Sequence, residues 1–129
     1  MSFRSEMVRG GMSTSEAVAA NGSFETGVNL TGFAGQGARQ VTAANTVVTT
    51  TVATTGDSLT LPKCEQGDWL VVCNYSASPV KIYPPSGWKI HNAAVDASYN
   101  IAANKTAMFT QITDPAKGGT QEFFAALSA

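Results

Sequence analysis

The chain is expected to be all-β: a small antiparallel β-sandwich or barrel carrying an extended N-terminal arm. Three observations lead there. From about Val41 onward, short runs rich in β-branched and aromatic residues alternate with Gly, Pro, Asn, Asp and Ser breakers at intervals of about ten residues. Residues 1 to about 40 lack that alternation and are rich in glycine and small polar side chains. The whole chain is 129 residues long, the size of one domain with one core. The division expected is an assembly arm over residues 1–40 and a β domain over 41–129.

Within the arm, Ser13-Thr14-Ser15-Glu16 fits a capping box ahead of Ala17-Val18-Ala19-Ala20, and Asn21-Gly22 stops it. That allows one or two helical turns. The stretch Thr31-Gly32-Phe33-Ala34-Gly35-Gln36-Gly37 is too poor in apolar residues to pack alone. It is expected to be ordered only by lying on another surface, that of a neighbouring subunit in an assembly.

In the β domain, Thr46 to Ala53 is almost entirely β-branched, and Gly56-Asp57 ends it. Ser58-Leu59-Thr60-Leu61 alternates cleanly up to Pro62. The run Asp68-Trp69-Leu70-Val71-Val72-Cys73-Asn74-Tyr75 is apolar on both faces, which predicts a central strand with Trp69 in the core. Pro79 to Tyr83 follows the turn Ser76-Ala77-Ser78, with Lys81 between Val80 and Ile82. Pro84-Pro85-Ser86-Gly87 breaks the chain again. Short strands are expected at Trp88-Lys89-Ile90 and Tyr99-Asn100-Ile101, and a full one from Lys105 to Ile112. After the loop Asp114 to Gly119, Gln121 to Leu127 closes the domain. Short links between so many strands favour antiparallel neighbours.

Charged residues make up 13% of the chain, against about 25% in an average soluble domain. So sparsely charged a surface invites association, which predicts that much of it is buried against other subunits. The basic residues Arg4, Arg9, Arg39, Lys63, Lys81, Lys89, Lys105 and Lys117 are scattered, and nine acids bring the net charge to −1. Binding of nucleic acid through phosphate neutralisation needs a basic cluster and is not expected. No run reaches the roughly 20 apolar residues of a membrane span, and MSFRSEMVRGGMS lacks the apolar stretch of a signal peptide. No membrane partner is expected, and synthesis in a reducing cytoplasm is, with Cys64 and Cys73 as thiols.

Catalytic chemistry has few candidates. His91 is the single histidine, and Cys73, its one conceivable nucleophilic partner, falls in a doubly apolar strand closed to substrate. No catalytic residue is assigned. Two cysteines and one histidine do not match zinc-ligand spacing, and Asp57, Asp68, Asp96 and Asp114 sit beside turn residues that explain them as caps and turn formers. Neither a metal nor a cofactor is expected. Gly32, Gly35 and Gly37 lack the strand before and the Lys-Ser/Thr after that a phosphate loop requires. Four Asn-X-Ser/Thr tripeptides, beginning at Asn21, Asn29, Asn74 and Asn104, are chance products of composition. Trp88, behind its breaker, is the aromatic best placed to stack on a sugar, with Tyr83 beside it.

The stretch from Gly56 to Leu127 resembles a β-structured module of tailed-phage virion proteins, found in head-decoration (cement) proteins and in tail-fibre-associated proteins. The likeness is carried by Asp57-Ser58-Leu59-Thr60-Leu61-Pro62, Gly67 to Asn74, Pro79 to Pro84 with Ser86-Gly87, Ile90-His91-Asn92, Ala102 to Phe109 and the closing aromatic strand. The resemblance implies a non-enzymatic structural protein of the virion, made in the bacterial host. It implies a homotrimer on the outer capsid surface whose partners are the major capsid protein and its own copies. It equally allows a tail or fibre-adaptor role. A carbohydrate-binding module using Trp88 and Tyr83 is the reading from another class.

Overall fold

The computed structural model describes residues 23–50 and 57–128. Among them are nine strands and one 3-10 turn: β1 (Phe24–Asn29), β2 (Asn45–Thr50), β3 (Ser58–Thr60), β4 (Trp69–Asn74), β5 (Val80–Tyr83), β6 (Lys89–Ile90), β7 (Tyr99–Ile101), β8 (Lys105–Gln111) and β9 (Glu122–Leu127), with the 3-10 turn at Pro115–Lys117. The all-β expectation stands. The expected helical turns near Ser13 and the strand's continuation to Ala53 lie outside the described residues.

The strands form a six-stranded sheet in the order β1-β2-β4-β8-β9-β6 and a three-stranded sheet in the order β3-β5-β7. The antiparallel expectation needs correction. β1 with β2, β2 with β4, β3 with β5 and β6 with β9 all run parallel. Antiparallel ladders join β4 to β8, β8 to β9 and β5 to β7. From β2 to β8 the reason is that successive strands alternate between sheets. β2 leads to β3 in the other sheet, and the chain returns to β2's side only at β4, so β2 and β4 are joined by a crossover rather than a hairpin.

One core draws on both sheets. Val48, Val72, Ala107, Phe109 and Phe123 from the large sheet cluster with Leu59, Val80, Ile82 and Ile101 from the small one. Tyr99 on β7 meets Phe109 on β8 edge to face at 5.7 Å. Asn74, fully buried, organises the turn after β4. Its amide donates to the carbonyls of Ser78 (2.8 Å) and Ile101 (3.0 Å), and its Oδ1 accepts from the Ser76 backbone N–H and hydroxyl. A buried amide so satisfied fixes a turn at little desolvation cost.

Residues 23–40 depart from the expectation of an arm. β1 is an edge strand of the large sheet, and Val28 and Leu30 are buried in the core. Arg39 pairs with Glu25 at 2.7 Å, and the Thr42 hydroxyl donates to the same carboxylate. The glycine-rich stretch also has its supporting surface within its own chain. The Ser58 N–H donates to the Phe33 carbonyl (2.7 Å), the Gly37 N–H to the Thr60 hydroxyl (2.7 Å) and the Thr60 N–H to the Arg39 carbonyl (2.8 Å). The segment thus covers the free edge of β3, a protection that exposed edges need.

Candidate interaction face

Alternation along each strand of the large sheet divides its side chains between the core and an outward face. On β4, Leu70, Val72 and Asn74 point inward, which leaves Trp69, Val71 and Cys73 outward. On β8 the outward set is Thr106, Met108 and Thr110, and on β9 it is Glu122, Phe124 and Ala126. Register then joins these residues in rows. Phe24, Asn45, Val71, Met108 and Ala126 form one row across five strands. Trp69, Thr110 and Phe124 form the next, and Val47, Cys73 and Thr106 a third.

The result is a broad apolar surface without a cover in the described chain. Phe24 is 65% exposed, Phe124 49%, Trp69 44% and Met108 44%. Ile112, just past the end of β8, continues the outward phase and is also exposed. Five of the nine large apolar side chains exposed among the described residues therefore share one face. At the β9–β6 corner Glu122 and Lys89 pair with each other at 3.4 Å, and the His91 imidazole lies against Phe124. Contiguous apolar exposure on this scale marks a contact surface, whereas isolated exposed apolar residues do not.

The two tryptophans exchange their expected places. Trp88, expected at a binding surface, is 8% exposed and packs on Phe123 with ring centroids 5.7 Å apart. Trp69, expected in the core, points outward. The cause is phase: Trp69 lies one residue before Leu70, and a one-residue offset in a strand reverses the face. Tyr83 is half-buried at the end of β5, and no exposed Trp88 stands beside it.

The remaining candidates are dispersed. Cys73 is on β4 and His91 just beyond β6, three strands away in the sheet. His91 stacks edge to face on Phe124 at 4.8 Å, and its backbone has a φ of 50°. Both cysteines are free. Burial, reinforced by the Asp68 carboxylate, pushes the Cys64 thiol above its usual pKa. Asp114 caps the 3-10 turn by accepting from the Ala116 N–H (3.0 Å), and Asp68 accepts from the Glu65 N–H (2.9 Å). Asp96 accepts from the Gln36 amide and the Gly87 N–H, which hold its carboxyl below the usual aspartate range. Asp57 is buried at the start of β3. Asp68, Asp96 and Asp114 thus serve loops, as their turn-rich surroundings predict.

A shallow cleft of about 310 Å³ lies between Glu65, Gln66 and the Asp114–Ala116 segment. No thiol, hydroxyl or imidazole lines it. Among the described residues no group of three His, Cys, Asp or Glu side chains could hold a metal ion, and no helix is long and apolar enough to cross a membrane. Compared with known proteins, the chain matches no family model, and no curated protein shows significant similarity to it.

Proposed function

We propose that the chain is a non-enzymatic decoration protein of a phage capsid, binding the outer shell as a homotrimer and stabilising it. The observation that carries this reading is the uncharged apolar face of the large sheet, read as the surface that draws copies of the chain into the assembly that binds the shell. A chain with 13% charged residues presents there a surface whose chemistry suits packing. The two sheets, which share one core, are read as the layers of a sandwich, with the glycine-rich segment closing one edge. The arm role expected of residues 1–40 contracts to the part preceding Ser23, because the chain from Ser23 onward belongs to the β body.

In this role each copy adds buried area across seams between capsomers, so that separating them requires exposing it again. The partners are the major capsid protein and other copies of the chain, and the place of action is the virion surface. The test is reconstitution of particles stripped of the chain. Added protein is expected to co-sediment with them at saturating, regular stoichiometry and to raise the temperature at which they release DNA. Failure to bind intact particles, or binding without any gain in heat resistance, contradicts the reading.

A further inference from the structure

We propose that the outward face of the six-stranded sheet is the contact between copies of this chain, its occupant being the same face of neighbouring copies. In a homotrimer three such faces close around a common axis, each sheet touching both neighbours. The inference deepens the reading of the chain as an assembly component and rests on it.

The choice of occupant follows from charge. The rows Phe24–Asn45–Val71–Met108–Ala126, Trp69–Thr110–Phe124 and Val47–Cys73–Thr106 contain no ionisable group except the Cys73 thiol. Lys89 and Glu122, at the corner, already neutralise each other. A partner bringing charged side chains onto this surface would bury them with no counter-charge and few hydrogen-bond partners, which is strongly unfavourable. The face therefore selects a surface as apolar and uncharged as itself. A lipid headgroup layer is also poorly matched, since the rows carry no basic side chain of their own, and of those beside them Lys89 is already paired and His91 is turned edge to face on Phe124.

Within the chain, the other sheet offers no equivalent. Its outward positions include exposed Lys81 and Asn100. The matching surface is the face itself, and around a three-fold axis one part of it meets another part of the neighbour's, both uncharged, so no charge conflict arises. Interface contacts of this kind concentrate their energy in central aromatic and methionine side chains, here Trp69, Met108 and Phe124.

The test is the mass of the full chain in solution, measured by sedimentation equilibrium at concentrations on the order of 10 µM. The wild type is expected to be a trimer. Met108→Glu places a carboxylate at the centre of the face, at a position exposed in the monomer, and is expected to weaken self-association roughly 30-fold or more while leaving circular dichroism unchanged. Phe124→Ser, a second and independent change on the face, is expected to act in the same direction. Asn100→Ser, exposed on the outward side of the other sheet, is expected to leave the mass unchanged.

Alkylation of Cys73 supplies a footprint: slow in the wild type, faster in Met108→Glu, with Cys64 as the internal reference. A wild type that is monomeric at these concentrations overturns the inference. So does a trimer that survives both substitutions in folded protein. Binding to stripped particles is scored on the same samples. A trimer that fails to bind them contradicts the decoration role and leaves the contact standing, whereas a monomer that binds them does the reverse.

Discussion

Thr46 and Gln111 bring polar atoms into the core that find no hydrogen-bond partner, the Thr46 hydroxyl and Gln111 Oε1. An unsatisfied buried group costs about 1–3 kcal/mol. Thr46→Val keeps the β-branched shape and removes the orphan hydroxyl, so it is expected to stabilise the fold by about 1 kcal/mol in urea denaturation. A loss of stability would show that the hydroxyl is satisfied in solution. Asp96 poses a different question, because it is exposed and tethers Gln36 to the Gly87 loop from a left-handed backbone, φ 65°. Its folded pKa is depressed. Its contribution is therefore present above the unfolded pKa and disappears as the pH falls through the folded one. The Gly87 amide resonance is expected to titrate with a midpoint below that of an ordinary aspartate. Asp96→Asn, which tolerates the same backbone and keeps the carbonyl acceptor, is expected to abolish that titration.

At the scale of elements, phase decides which side chains matter. Trp88→Ala removes a core ring packed on Phe123 and is expected to cost about 3–5 kcal/mol. Trp69→Ala, made in the Met108→Glu background so that association does not intervene, is expected to change stability by about 0.5 kcal/mol or less. Equal losses from the two would mean that the face is not outward. Eight of the nine strands were legible in the sequence because β-branched runs and their breakers are local signals, and Ser58-Leu59-Thr60 or Val80-Lys81-Ile82 carry them plainly. β1 was not. Phe24-Glu25-Thr26-Gly27-Val28-Asn29 has a glycine at φ 68° and two register shifts, and it is held as a strand by β2 and the Arg39–Glu25 pair rather than by its own propensity. Parallel pairing was equally hidden, since nothing local in Asn45–Thr50 states that β4 rather than a hairpin partner lies beside it. The apolar face was partly visible. Both phases of Trp69–Cys73 are apolar, which correctly implies a central strand but leaves open what covers its second side.

At the scale of the whole molecule, a sparsely charged chain folds with one face of its larger sheet left uncovered by the described residues, and burying that face is a favourable driving force available to it. Burial of a large apolar side chain contributes about 1.5–3 kcal/mol, against an association cost of roughly 4–15 kcal/mol. Phe24, Trp69, Met108 and Phe124 are about half exposed, so burying the rest of them on one copy contributes roughly 3–6 kcal/mol, and the neighbouring copy's contacts add to this in offsetting the cost. Assembly is the fate proposed for this surface, with the shell of a phage as the assembly. The most direct measurement is electron cryomicroscopy of particles purified from the host in which the chain is made. The account predicts three-fold density over capsomer junctions of the head, with the six-stranded sheets turned towards one another. Density confined to the tail, or particles that lack the chain altogether, would contradict it.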